Sequence, residues 1–244
     1  MTTRRTAGLP GQLPRQSRSS RQRSWPVPVG VLVLSAVPLV AGLLRVVQLL
    51  GGPELIPADQ RFAGFPLPVV AHIVGAGTYL LIGILQFVPR FRRRHRDWHR
   101  RAGRVLAVAG LLVAGSASWM TLSYAQKPGT GDLLVALRLV FAAAMTGSLV
   151  LGVITIRRGD VAGHRAWMIR AYAIGLAAGT QAFTGGVGPA LFGPGVVQHD
   201  LAMGAAWAIN LAVAEWVIRR QDGPTPSRRP ERSAHRAAPT GASS

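Results

Sequence analysis

Six long apolar stretches divide this sequence, and short polar loops separate them. Each stretch has about the 20 residues that an α-helix needs to cross a lipid bilayer. Backbone groups in a bilayer cannot hydrogen-bond to water, so isolated apolar segments of this length cross as helices. The pattern predicts an all-α bundle of six transmembrane helices, which span about residues 27–50, 66–88, 105–122, 133–156, 167–187 and 196–218.

The positive charges favour one orientation of this bundle. Of the 28 Lys and Arg residues, 24 lie in the tails and alternate loops that fall on one side of the predicted membrane. Arg61 and Lys127 lie in the loops on the other side, and Arg45 and Arg138 lie inside spans. Cytoplasmic loops of membrane proteins carry an excess of Lys and Arg. Both termini are therefore expected in the cytoplasm.

The formal charge of +19 is typical of nucleic-acid-binding proteins, but its distribution argues for a different partner. The arginines flank apolar spans, where they set topology and contact anionic lipid headgroups. We predict a basic disordered tail at residues 1–26, a membrane domain at 27–220 and a second disordered tail at 221–244. The absence of cysteine excludes disulfides, iron–sulfur clusters and thiol nucleophiles.

Four histidines lie at or near the ends of the predicted spans, and ionisable groups within a membrane are candidates for function. His72 and His199 belong near the outer face, whereas His99 and His164 belong near the cytoplasmic face. Two pairs of imidazoles from different helices would suit two haem b groups, each held by a pair of axial histidines. One hypothesis is therefore a transmembrane electron carrier. In the alternative, these histidines are polar anchors that bond helix ends or lipid phosphates.

The two intramembrane arginines support a different class of function. Arg45 and Arg138 both lie toward the outer ends of their spans, where they would form an anion site in a small transporter or ligand-binding protein. Alternatively, they extend toward the headgroups or pair with Asp132 and Asp200. A third class is a non-catalytic membrane scaffold.

The sequence lacks several motifs that would identify particular classes of enzyme. It has no nucleophile elbow, no phosphate-binding loop and no zinc-binding HExxH. Polar residues inside the spans are expected to form interhelical hydrogen bonds rather than a proton path; they are Gln86, Gln181, Asn210 and Glu215.

The segments DWHRRAGR and GHRAWMIRAY, with AAWAINLAVAEW further on, are similar to a bacterial family of predicted membrane proteins, domain of unknown function 2306. The resemblance covers about residues 66–218. It implies a multipass protein of the bacterial plasma membrane and carries no established activity. Many members have an arginine late in span five where this chain has Gln181. The resemblance matches thirteen positions: His72, Gln86, His99, Arg100, Gly103, Arg104, His164, Arg165, Trp167, Arg170, Tyr172, Asn210 and Glu215.

Overall fold

The computed structural model describes residues 26–221, and this part of the chain contains helices and no strand. A single 3-10 turn, Gln60–Phe62, lies between the first two helices. Apart from Pro26 and Gln221, the predicted tails at 1–26 and 221–244 lie outside the described residues. The helices are α1 Pro26–Leu49, α2 Leu67–Gln86, α3 Pro89–Arg94, α4 Arg96–Ser123, α5 Asp132–Arg157, α6 Val161–Gly175, α7 Ala177–Phe192 and α8 Val196–Gln221.

Five of these helices are long and apolar enough to cross a membrane, namely α1, α2, α4, α5 and α8. They correspond to five of the six predicted spans. The remaining predicted span, 167–187, is not one helix in the structure. It is divided between α6 and α7, which have 15 and 16 residues.

The division at Leu176 occurs where glycines allow other helices to approach closely. A Cβ on Gly175 would lie 2.9 Å from the ring of Tyr79, and one on Gly179 would overlap the backbone carbonyl of Leu34. Gly-rich segments are common positions for sharp changes in helix direction. On either side of the break, α6 packs mainly against α5 and α8, whereas α7 packs mainly against α8 and α1.

Two helices begin well before the apolar stretches that the sequence marks. α4 begins at Arg96, and α6 begins at Val161, where the Asp160 side chain accepts a hydrogen bond from the N–H of Gly163. Both extensions carry arginines. Hydropathy identifies only the part of a helix that suits hydrocarbon, whereas hydrogen bonding and capping continue a helix into the headgroup region.

The centre of the bundle is a core of aromatic and aliphatic side chains from four helices. Tyr79 of α2 and Tyr172 of α6 lie in ring contact, with centroids 5.5 Å apart. The Tyr172 hydroxyl donates to the carbonyl of Leu80 at 2.9 Å. Other members of this cluster include Val113 and Ala114 of α4 and Met145 and Leu149 of α5.

Three loops meet at one end of the bundle, which we call the arginine-poor end; they are residues 50–66, 124–131 and 193–195. The Tyr124 hydroxyl donates to the carbonyl of Phe65 at 2.6 Å, which joins the first loop to the second. The N–H of Gly131 donates to Asp200 at the start of α8, which brings the third connection to the same place. This end carries Arg61 and Lys127, the two basic residues that the sequence places on the outer side.

Candidate functional site

Arg138 occupies a position on the buried face of α5. The residues four before and four after it, Leu134 and Ala142, are 1% and 8% exposed, and Met145 continues the same buried stripe. Residues at this spacing share one side of a helix. Arg138 itself is half-buried and makes no hydrogen bond or ion pair with any residue between 26 and 221. Its guanidinium lies within electrostatic range of Arg61 and Asp200 and has no hydrogen-bond partner among the described residues.

Asp132 and Asp200, the predicted partners of Arg45 and Arg138, form hydrogen bonds with other groups. Asp200 lies within electrostatic range of Arg138, but its carboxylate accepts the N–H groups of Gly131 and Leu134 at the start of α5. Asp132 is exposed and accepts a hydrogen bond from Gln126. Neither carboxylate forms an ion pair with Arg138 or Arg45 within the described part of the chain.

Arg45 is directed toward the α1–α2 loop. Its guanidinium donates to Gln48 Oε1 at 2.6 Å and to the carbonyl of Pro57 at 3.0 Å. It also lies 5.9 Å from the centre of the Phe62 ring. This is the extended arrangement toward the headgroups that the sequence offers as an alternative. The structure shows no contact that joins Arg45 and Arg138 in a single site.

An ion pair in the α1–α2 loop was not identified from the sequence. Arg61 donates to both carboxylate oxygens of Asp59, at 2.8 and 2.5 Å. The hydrogen bonds from Arg61 hold the pKa of the Asp59 carboxyl below its ordinary value, and Asp59 in turn raises the pKa of Arg61. The spacing of two residues between Asp59 and Arg61 could have indicated this ion pair. In the sequence, Arg61 was interpreted only as a marker of topology.

The two histidines near the arginine-poor end belong to different neighbourhoods. The Nδ1 of His72 lies 3.2 Å from the carbonyl of Val113 and 3.1 Å from Ser116 Oγ, so its ring is directed at α4. His199 lies beside Asp200 on α8, with Nδ1 and Oδ1 3.5 Å apart. α2 packs mainly against α4 and α1, whereas α8 packs mainly against α7, α6 and α5. None of these contacts joins His72 to His199.

The other two histidines lie in the first turns of α4 and α6. His164 Nδ1 is 2.7 Å from the carbonyl of Gly152 on α5, and the backbone N–H of His99 donates to the carbonyl of His95. Between residues 26 and 221 there is no cluster of three or more His, Cys, Asp or Glu side chains that could hold a metal ion. A haem held by two axial histidines needs only two imidazoles, and none of the hydrogen bonds described above joins the members of either predicted pair.

Most polar residues inside the spans connect helices to one another. Asn210 accepts from Thr180 at 2.9 Å and donates to the carbonyl of Ala173 at 3.1 Å. Gln181 donates to the carbonyl of Met203. These are the interhelical hydrogen bonds that the sequence predicts. Gln86 differs, because both of its amide atoms are buried and have no hydrogen-bond partner among the described residues.

An ion pair links α6 and α8 at the end of the bundle opposite the arginine-poor end. Arg170 donates to both carboxylate oxygens of Glu215, at 2.5 and 3.0 Å, and its guanidinium lies 4.8 Å from the ring of Trp167. Both side chains are matched by the family resemblance. A role in holding α6 against α8 is sufficient to explain this pair, because a planar guanidinium and a carboxylate form two strong parallel hydrogen bonds.

A family described as "Predicted membrane protein (DUF2306)" matches residues 69–218. The chain belongs to this family. The matched segment includes Arg138 and the four candidate histidines, whereas Arg45 and the Asp59–Arg61 pair precede it. No curated protein and no solved structure matches the chain. Membership confirms a multipass membrane protein and leaves its activity open.

Proposed function

We propose that this protein binds a small anionic ligand at Arg138, within the half of the bundle nearest the arginine-poor end. The observation that carries the proposal is the position of Arg138 on the buried stripe of α5 without a hydrogen-bond or ion-pair partner among the described residues. Charged side chains inside a membrane are costly and usually have a partner. An anionic ligand would provide that partner.

The chemistry of the side chain limits the class of ligand. A guanidinium presents a planar fork of N–H donors, which matches the two oxygens of a carboxylate or a phosphate. The Asp200 carboxylate, which lies within electrostatic range of Arg138, accepts hydrogen bonds from Gly131 and Leu134 and none from Arg138. We therefore favour a small carboxylate or phosphate.

Thermal unfolding of the detergent-solubilised protein tests this function. The probes are inorganic phosphate, acetate and succinate, added separately at millimolar concentration at constant ionic strength. A ligand present at about ten times its Kd stabilises the folded state by about 1.4 kcal/mol, which raises the midpoint temperature measurably. At least one probe should stabilise the unmodified protein, and Arg138→Gln should abolish the effect.

A matched control is available on the same helix. Arg157→Gln removes the same charge from an exposed position at the other end of α5. It should respond to the anion as the unmodified protein does. The proposal fails if Arg138→Gln responds equally well, or if none of the three anions stabilises the unmodified protein. Binding is common to a transporter and a receptor, so flux measurements in vesicles would follow a positive result.

We also propose that α6 and α7 together form a sixth crossing, with both termini on the cytoplasmic side of a bacterial plasma membrane. In support, the two helices follow one another with a single intervening residue, Leu176. The arginine distribution supports this orientation through the positive-inside rule. The two halves pack on different neighbours, which is compatible with a broken crossing buried in protein.

Haem binding is a second candidate, favoured by one specific observation. His72 and His164 both direct Nδ1 at a backbone carbonyl, an arrangement that leaves Nε2 available and is common among metal-binding histidines. The visible absorption spectrum of protein expressed with ample haem distinguishes this candidate. A Soret band that shifts on reduction, and that is lost in His72→Ala or His164→Ala, would favour electron transfer over anion binding.

A further inference from the structure

A groove runs along the outside of the bundle between the start of α2 and the arginine-poor half of α4, with a volume of about 410 Å³. Leu67 of α2 is 63% exposed, and Leu111 and Leu112 of α4 are 41% and 44% exposed. These side chains line the groove together with Pro68, Gly115 and Trp119. In a multipass membrane protein, an apolar surface that faces away from the bundle contacts lipid.

Two polar groups beside the groove, the Ser116 hydroxyl and the Phe65 carbonyl, already form internal hydrogen bonds. Ser116 Oγ donates to the carbonyl of Leu112 at 2.6 Å and lies 3.1 Å from the Nδ1 of His72. The carbonyl of Phe65 accepts the Tyr124 hydroxyl. The groove therefore has little to offer a polar molecule, and an apolar chain is the occupant that matches its lining.

Gly115 shows that the groove has room for such a chain. A Cβ built on this residue would meet no heavy atom within 4 Å. The side chain that is missing from α4 at this position leaves open space beside Leu111 and Trp119, which lie four residues away on the same face. A larger residue here would fill the groove without displacing the protein's own atoms.

An aromatic cluster and an arginine lie at the headgroup end of the groove. The rings of Phe65, Trp119, Tyr124 and Phe62 form a chain of contacts with centroids 5.2 to 5.5 Å apart. Aromatic side chains are enriched at the membrane–water interface. Arg45 follows next to Phe62. Its hydrogen-bond partners, Gln48 and the carbonyl of Pro57, are both neutral. The Asp59 carboxylate lies within electrostatic range of Arg45, but it is hydrogen-bonded by Arg61, so Arg45, Arg61 and Asp59 together keep one net positive charge.

We propose that the groove holds one acyl chain of an anionic phospholipid, whose headgroup is bound at Arg45. The apolar lining accounts for the chain, and the net positive charge at Arg45, beyond the aromatic cluster, accounts for the negative headgroup. Among the described residues no hydrogen bond or ion pair joins this site to Arg138 of α5. Failure of one proposal therefore leaves the other intact, and Arg138→Gln should not change lipid retention.

Native mass spectrometry tests the acyl-chain half of the proposal. The probes are vesicles of equal parts phosphatidylglycerol and phosphatidylcholine, from which the full chain is extracted in mild detergent. One retained lipid is expected on the unmodified protein. Gly115→Leu should reduce its retention about tenfold, because the new side chain displaces a few methylene groups of the acyl chain. Gly147→Leu is the control, since a Cβ on Gly147 of α5 also meets no heavy atom within 4 Å.

The same experiment tests the headgroup. Phosphatidylglycerol should be retained about fivefold over phosphatidylcholine, equivalent to about 1 kcal/mol for one juxtamembrane cation. Arg45→Gln should remove that preference, whereas Lys127→Gln, at an exposed position at the same end, should keep it.

Equal retention of both lipids by the unmodified protein, or full retention by Gly115→Leu, overturns the proposal. So does a dimer that replaces the lipid and that Gly115→Leu dissociates, because a second copy would then occupy the groove.

Discussion

The carboxylate of Asp200 accepts a hydrogen bond from the backbone N–H of Gly131 at 3.0 Å, although 69 positions separate the two residues in sequence. The same carboxylate accepts the N–H of Leu134 at 3.1 Å. Gly131 precedes α5 and has no side chain with which to cap it. The first residues of a helix leave N–H groups without partners. α8 therefore supplies the cap that the sequence around α5 lacks.

Replacing Asp200 should destabilise the bundle through this cap. We expect Asp200→Ala to lower the free energy of unfolding by about 2 kcal/mol, since buried N–H groups at the start of α5 lose their acceptor. Denaturant titration in detergent micelles would measure the change. Asp132→Ala is the control, because its carboxylate is exposed and, among the described residues, accepts a hydrogen bond from Gln126 alone. An equal loss in both variants would contradict the assignment of the cap to Asp200.

The contact between α2 and α6 depends on the small size of one glycine. A Cβ on Gly83 would overlap the ring of Tyr172, whereas one on Gly77 of the same helix would lie 3.8 Å from Leu39. We expect Gly83→Ala to destabilise the protein by about 1–3 kcal/mol through overpacking, and Gly77→Ala to have little effect. Thermal unfolding of the two variants in the same detergent gives the comparison. A stable Gly83→Ala protein would show that Tyr172 moves at little cost.

The Asp59–Arg61 pair predicts how the α1–α2 loop responds to acid. The pKa of Asp59 is lowered in the folded protein, so the unfolded state binds the proton first as pH falls. The pair should therefore stabilise the loop fully above about pH 4, the ordinary range of an aspartate, and lose its contribution as pH falls through the lower folded value. The effect should be small because both side chains are partly exposed.

Amide hydrogen exchange over residues 53–66 would detect this loss. Comparison with Asp59→Asn at each pH removes the intrinsic dependence of exchange on pH. The unmodified loop should exchange more slowly than the variant at neutral pH, and the difference should disappear in strong acid. A difference that persists at the lowest pH would mean that protection comes from contacts other than the ion pair.

Cysteine labelling would establish the number of crossings, and the absence of natural cysteine makes the background clean. With a membrane-impermeant maleimide on intact cells, Lys127→Cys and Val197→Cys should react, whereas Arg158→Cys should react only after lysis. This outcome follows from the positive-inside rule and from a crossing formed by α6 and α7. Reaction of Arg158→Cys and Val197→Cys on the same side would instead show that α6 and α7 do not cross.

Much of the helical framework was predictable because a bilayer allows few structures. Apolar length marks α1, α2, α4, α5 and α8, since each must satisfy its backbone internally. The broken span was not predictable. Residues 167–187 have sufficient apolar length, and only the close contacts of Gly175 and Gly179 with α2 and α1 show where the helix divides.

The candidate site illustrates the same division. The sequence identified Arg45 and Arg138 as alike, because both are arginines in the outer part of a span. The structure separates them, since Arg45 reaches the carbonyl of Pro57 and Arg138 has no such partner among residues 26–221. It also shows that Asp200 caps the start of α5 and that the His72 side chain of α2 contacts α4. Hydrogen bonds between distant segments follow from helix packing, which a linear pattern does not encode.

By itself the sequence determined that this protein lies in a lipid bilayer, that its fold is all-helical and that the two ends of the bundle differ in charge. Those properties follow from the transfer energies of single residues and from their order along the chain. Only the tertiary structure decided which polar groups are hydrogen-bonded within the described part of the chain, and where the bundle leaves an apolar groove. These depend on which helix faces meet, and therefore on the complementary shapes of residues far apart in sequence.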